Sequence, residues 1–135
     1  MSSAIAFIAL EDYLRAEWTT TPLVFENENF PLEDQPDAFV FVEVFGDYFA
    51  QESIGAPGNN LWREAGEIRA HVLVPNGTGS RVARGHAAEM AEFFREVEVQ
   101  GIRFTQMSIG AGDAGKADGN YYRMTLAIDW ERYEV

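Results

Sequence analysis

The sequence predicts an α+β fold: one domain with two layers, a mainly antiparallel mixed sheet, and two helices packed on one face. Three observations predict it. Two segments repeat their apolar residues at helical spacing, several others alternate or run apolar in the manner of strands, and turn-forming residues separate them. The length, 135 residues, suits a single domain spanning residues 1–135 with one buried core.

The first helix is predicted over Ala4 to Trp18, where Phe7, Leu10, Leu14 and Trp18 form a stripe and Glu11 precedes Arg15 by one i,i+4 step. Its run AIAFIAL has no Lys or Arg before it and acids follow on helical spacing. The segment therefore reads as a folded amphipathic helix rather than a secretion signal. A short extended piece follows at Leu23 to Phe25, and then FPLEDQPDA, with two prolines and three acids, marks a loop.

AFVFVEVF, Ala38 to Phe45, is a strand by content, with Phe39, Phe41 and Phe45 on one side and Val40, Val42 and Val44 on the other. Gly46 and Asp47 are predicted to make a tight hairpin turn into a further strand, DYFAQESI, with a longer loop at GAPGNN. From Leu61 to Val74, the alternation of Trp62, Ile68, Ala70, Val72 and Val74 predicts a long strand, bulged at Gly66.

A second helix should present Val82, Met90, Phe93 and Val97, with Ala83, Ala87 and Phe94, to the same sheet, despite Gly85. GIRFTQMSI and YYRMTLAIDW are the closing strands, the latter with Tyr122, Met124, Leu126, Ile128 and Trp130 on one face. GAGDAGKADGN between them reads as a flexible hairpin loop. The predicted order is thus α, β, β, β, β, α, β, β.

Composition narrows the function classes. A formal net charge of −12 opposes ordinary nucleic-acid binding, which uses clustered Lys and Arg. It suits solubility, a basic partner, or a lining that repels a polyanion. The absence of Cys excludes disulfides and thiolate chemistry. Apolar content shows no run of about 18 residues that would span a membrane.

The stretch VPNGTGSRVARGHAAEM, Val74 to Met90, resembles a phosphate loop in outline only. It lacks the spacing and the Lys of a P-loop, and Val82 occupies the place of the third glycine of the dinucleotide fingerprint. A connector whose Thr78 or Ser80 caps the helix is the favoured reading. The alternative is an anion- or nucleotide-binding module, or an enzyme, using the loop at 76–81, with Arg81 assisting the helix N-terminus.

Neither His71 nor His86 sits in a nucleophile signature, and His86 reads as a partly buried packing residue. The acidic clusters at Glu26, Glu28, Glu33, Asp34 and Asp37, and at Asp113 with Asp118, lack the alternation that wraps oxygens around calcium. A carboxylate pair such as Glu89 with Glu92 reads as solvent-facing. No metal, cofactor or catalytic residue is expected. What stands out is ten Phe, five Tyr and three Trp in a small chain, more aromatic surface than two helices cover.

In order along the chain, TPLVFENENF, a Pro-rich acidic loop, AFVFVEVF with a later SIG, a strand followed by VPNGTGS and a helix, and GIRFTQMSIG with DGNYYRMTLAIDW carry a resemblance. The chain resembles the bacteriophage tail-terminator and related tail-completion proteins, from the first helix to Trp130. That resemblance implies a structural virion protein of the tail, assembled in the host cytoplasm, that forms a homo-hexameric ring. The ring would stop polymerisation of the tail tube protein and present a surface to head-completion or connector proteins, with DNA passing through its lumen without sequence-specific binding. Residues Asn59, Trp62, Asn76, Arg81, Asp113 and Lys116 are the candidates for contacts within the ring or with the tail.

Overall fold

In the computed structural model, the described residues are 3–30, 37–77, 79–110 and 121–135, together with the backbone of 116–118. Helix α1 spans Ala4–Glu17, and strands β1 (Leu23–Phe25), β2 (Phe39–Gln51) and β3 (Trp62–Pro75) follow it. Helix α2 covers Arg81–Phe94 and precedes β4 (Glu98–Val99), β5 (Ile102–Ile109), β6 (Lys116–Asp118) and β7 (Tyr121–Glu134). The sheet runs in the order β1-β2-β3-β7-β5-β4, with β6 also pairing β7. Every pairing is antiparallel except that of β1 with β2.

Both helices lie on one face, as the α+β reading expects. Ala6, Ala9, Leu10 and Leu14 of α1 and Ala83, Ala87, Met90 and Phe94 of α2 share one core with Val40, Val42, Val44, Ile68, Ala70, Val72, Met124, Leu126, Ile128 and Trp130. Each of these strand residues sits an even number of positions from its neighbours in the set, so the pleat aims them all at the helices. A second, smaller cluster lies on the opposite face, where Phe30 packs beside Phe39, Leu73, Val24 and Tyr121. Phe39 and Phe41 of β2 therefore serve the far face and its valines the helix face.

Four expectations need correction. No turn forms at Gly46 and Asp47: β2 runs on to Gln51, and the chain reverses only between Glu52 and Leu61. Asp47 is instead the extra residue of a bulge, because Gly46 opposes Gly66 while Tyr48 opposes Ala65. Three strands, not four, therefore precede α2, and the bulge falls across from Gly66 rather than on it. Gly66 is needed for space, since a Cβ there would lie 1.9 Å from the Phe45 carbonyl oxygen and 2.7 Å from the Trp130 ring.

The remaining three concern the second half of the chain. Lys116–Asp118, read as part of a loop, is a strand pairing Tyr121 to Arg123. Val82 is 51% exposed, because the helix turns its Ala83, Ala87, Met90, Phe94 line inward. Val97, expected on the same helix, follows its end, because α2 stops at Phe94 and the chain turns at Arg95 and Glu96.

Candidate functional site: an aromatic rim and two buried polar networks

At the far end of β2, β3 and β7 the sheet extends past both helices. Tyr48, Phe49, Trp62 and Tyr133 remain exposed there, with Ile54 in the adjoining loop. Phe49 and Trp62 meet edge to face at 5.4 Å between ring centres. With Glu134 and Val135 they line an open surface groove of about 450 Å³. Two guanidiniums brace this rim, Arg132 over Phe49 at 5.6 Å and Arg63 over Tyr48 at 5.2 Å. Arg63 also grips Glu131 through both Nε and an Nη, at 3.0 and 2.7 Å.

Beneath the rim lies the first buried network. Arg132 Nε donates to Glu64 at 2.6 Å, and both side chains are almost fully buried. The same carboxylate accepts from the backbone N–H and the hydroxyl of Ser3, each at 2.7 Å, while the Ser3 hydroxyl accepts from the Ala6 N–H and so caps α1. Burial works against the Glu64 charge, but the Ser3 and Arg132 hydrogen bonds outweigh it and hold its carboxyl below the usual range. One charge cluster thus fixes the start of α1 to β3 and β7.

The second network crosses three strands on the helix-free face. His71 Nδ1 lies 2.8 Å from the Thr125 hydroxyl and Nε2 lies 2.6 Å from Glu43. Burial lowers the His71 pKa, against the pull of Glu43. A neutral ring that accepts from Thr125 and donates to Glu43 satisfies every group. In outline this is a hydroxyl–imidazole–carboxylate line, but Thr125 is only 9% exposed and Phe41 stacks on the imidazole. Its position, one residue each on β2, β3 and β7, makes it a lock on strand register.

The candidates named from sequence fall into two distant groups. Asn59, whose N–H donates to Ala56 in an exposed turn, and Trp62 lie at the rim. Asn76 and Arg81 are exposed at the opposite end of β3, about 40 Å away at roughly 3.3 Å per strand residue. Lys116 opens β6 near that second end; Asp113 lies outside the described residues. The structure therefore does not join all six in one site.

At the loop of residues 76–81, Gly77 and Gly79 take φ of +86° and +79°, a backbone that favours glycine. Ser80 holds the N-cap position but makes no capping bond; its hydroxyl accepts from Arg84 instead, and Thr78 lies outside the described residues. The acids of the first long loop do more than meet water. Glu28 accepts from the Phe25 N–H and pairs with Arg15, and Glu26 accepts from the Val44 N–H. Glu89 and Glu92 are exposed, as expected, with Glu89 accepting from Thr20. His86 is half-buried on α2, also as expected. Among the described residues, no group of three or more His, Asp or Glu is placed to hold a metal ion.

Sequence reasoning missed Tyr48, Phe49 and Tyr133 as rim residues and the Glu64–Arg132 pair altogether. The false turn at Gly46 concealed the first two. The spacing of Glu64 and Arg132, each in line with its strand's buried residues, was the available signal for the pair.

No family model matches the chain, and no curated protein does. Among solved structures, a protein whose name describes no activity superposes over 98% of this chain and 96% of its own, with a TM-score of 0.65 at 22% identity. That likeness bears on the fold alone.

Proposed function

We propose that this protein is a structural subunit of a phage tail that assembles into a ring at the head-proximal end of the tail tube and stops its growth. The observation that carries the reading is the aromatic rim. The core is complete without Tyr48, Phe49, Trp62 and Tyr133, so folding alone gives no reason to cluster them in water. Exposed aromatics on both faces of one sheet end, Phe49 with Trp62 on the helix face and Tyr48 with Tyr133 on the other, each braced by a guanidinium, are the composition of a protein interface. The resemblance of the ordered sequence segments to those of tail terminators supports this identity for the assembly, and the net charge of −12 suits a lumen through which DNA slides by repulsion.

In this reading the partners are further copies in a hexamer, the tube protein on one side and a head-completion protein on the other, and the virion tail is the location. Native mass spectrometry at rising protein concentration tests it. A species of six times the subunit mass supports the ring, and a chain that stays monomeric throughout sinks it.

A further inference from the structure

The strand edges give the ring a specific contact. Successive residues of a strand turn their backbone N–H and C=O groups to opposite sides. In β2, Glu52 donates inward to Leu61, so Gln51 and Phe49 turn theirs outward, away from β3. In β5, Gly110 donates inward to Thr125, so Ile109 and Met107 turn outward, away from β7. Neither pair of outward groups meets a strand among the described residues: β1 covers β2 only from Val40 to Val42, and β4 covers β5 only at Ile102 and Arg103. Nearer the bulge the edge is already closed, since Glu26 takes the Val44 N–H.

These two edges fit each other. Counting along β2, β3, β7 and β5, each antiparallel to the next, β2 and β5 run in opposite directions. We infer that the open edge of β2 in one copy pairs antiparallel with the open edge of β5 in the next, Phe49 opposite Ile109 and Gln51 opposite Met107. This inference rests on the ring reading and names its contact.

Side-chain positions agree with that register. Phe49 opposes Glu64, which touches Ser3 of α1, and Ile109 opposes Leu126 of the core, so both side chains stand on the helix face. They are 44% and 41% exposed, and the pairing sets one against the other. Between them, Ala50 opposes Ser108, two small residues that admit a close approach. Charge agrees as well: Phe104 to Ile109 contains no carboxylate, while Asp47 and Glu52 flank the β2 edge. Because the two edges differ, the contact is head-to-tail and closes into a ring when the rotation per copy allows. Each copy then loses both open edges.

Cysteine cross-linking tests it, as the chain has no cysteine of its own. Ala50 and Ser108 would form a non-hydrogen-bonded pair, with Cα atoms about 4.5 Å apart, within disulfide reach. Ala50→Cys mixed with Ser108→Cys under mild oxidation should give a disulfide dimer, and the double variant a ladder up to six chains. Each single variant alone should stay uncross-linked. Rings of normal mass that yield no cross-link, or a self-cross-link of Ala50→Cys, overturn this contact and leave the ring reading standing. Variants and parent that remain monomeric at high concentration overturn both. As a second arm, Ile109→Asp should abolish assembly while its circular dichroism matches the parent; retained assembly counts against the pairing.

Discussion

Arg132 and Glu64 form an ion pair, at 2.6 Å, that is nearly closed to solvent and lies directly under the N-terminus of α1. Two strands and a helix cap depend on it together. Removing one partner strands the other charge: Glu64→Leu alone or Arg132→Met alone should cost about 3–5 kcal/mol, whereas the volume-matched double replacement Glu64→Leu with Arg132→Met should cost far less. Urea denaturation of both singles and the double, read as a mutant cycle, measures the difference. Equal costs for single and double variants would contradict the account.

The same pair sets a pH dependence. The Glu64 carboxyl is held lower in the fold than in the unfolded chain, where it titrates at about 4.3. Its contribution is therefore complete above that pH and is lost as pH falls through the lower folded value. Stability curves of the parent and of Glu64→Gln should converge across that acid window.

His71 works in a separate window. Burial lowers its folded pKa below the 6.5 of the free side chain, so the unfolded chain takes up the proton first. Stability should fall as pH drops below 6.5, levelling once the folded ring also titrates. In His71→Gln that slope should disappear, and a histidine-resolved NMR titration should place the folded pKa below 6.5. A folded pKa above that value would overturn the neutral-imidazole assignment.

Two glycines should respond in opposite ways to alanine. At Gly66 the new methyl meets the Phe45 carbonyl and the Trp130 ring, and a loss of about 1–3 kcal/mol follows from overpacking. Gly85, within α2, has open space around the position of a Cβ, so Gly85→Ala should gain about 0.5–1 kcal/mol from helix propensity. Thermal melts of the two variants check both signs.

Much of the fold was legible because its signals are local. The stripe Leu10, Leu14, Trp18 and the alternation Met124, Leu126, Ile128, Trp130 each report one face of one element, and the structure buries those faces. Gly46-Asp47 misled for a physical reason: a bulge needs the same permissive residues as a hairpin, and only the partner strand distinguishes them. The Glu64–Arg132–Ser3 cluster joins residues 61 and 129 positions apart, which no local pattern announces. The rim was half visible. Aromatic excess pointed to surplus surface, and Trp62 was named, but which aromatics escape the core depends on where the helices stop.

The rim should matter for assembly and little for folding. Trp62→Ala removes a 39% exposed ring, so urea stability should change by no more than about 1 kcal/mol while association weakens. Sedimentation velocity alongside denaturation separates the two effects.

The central claim is that this chain builds a closed ring, and negative-stain microscopy of the concentrated protein tests it most directly. The account predicts class averages with six-fold symmetry around an open lumen. Averages showing single particles of monomer size, at concentrations where the protein is folded, would contradict it.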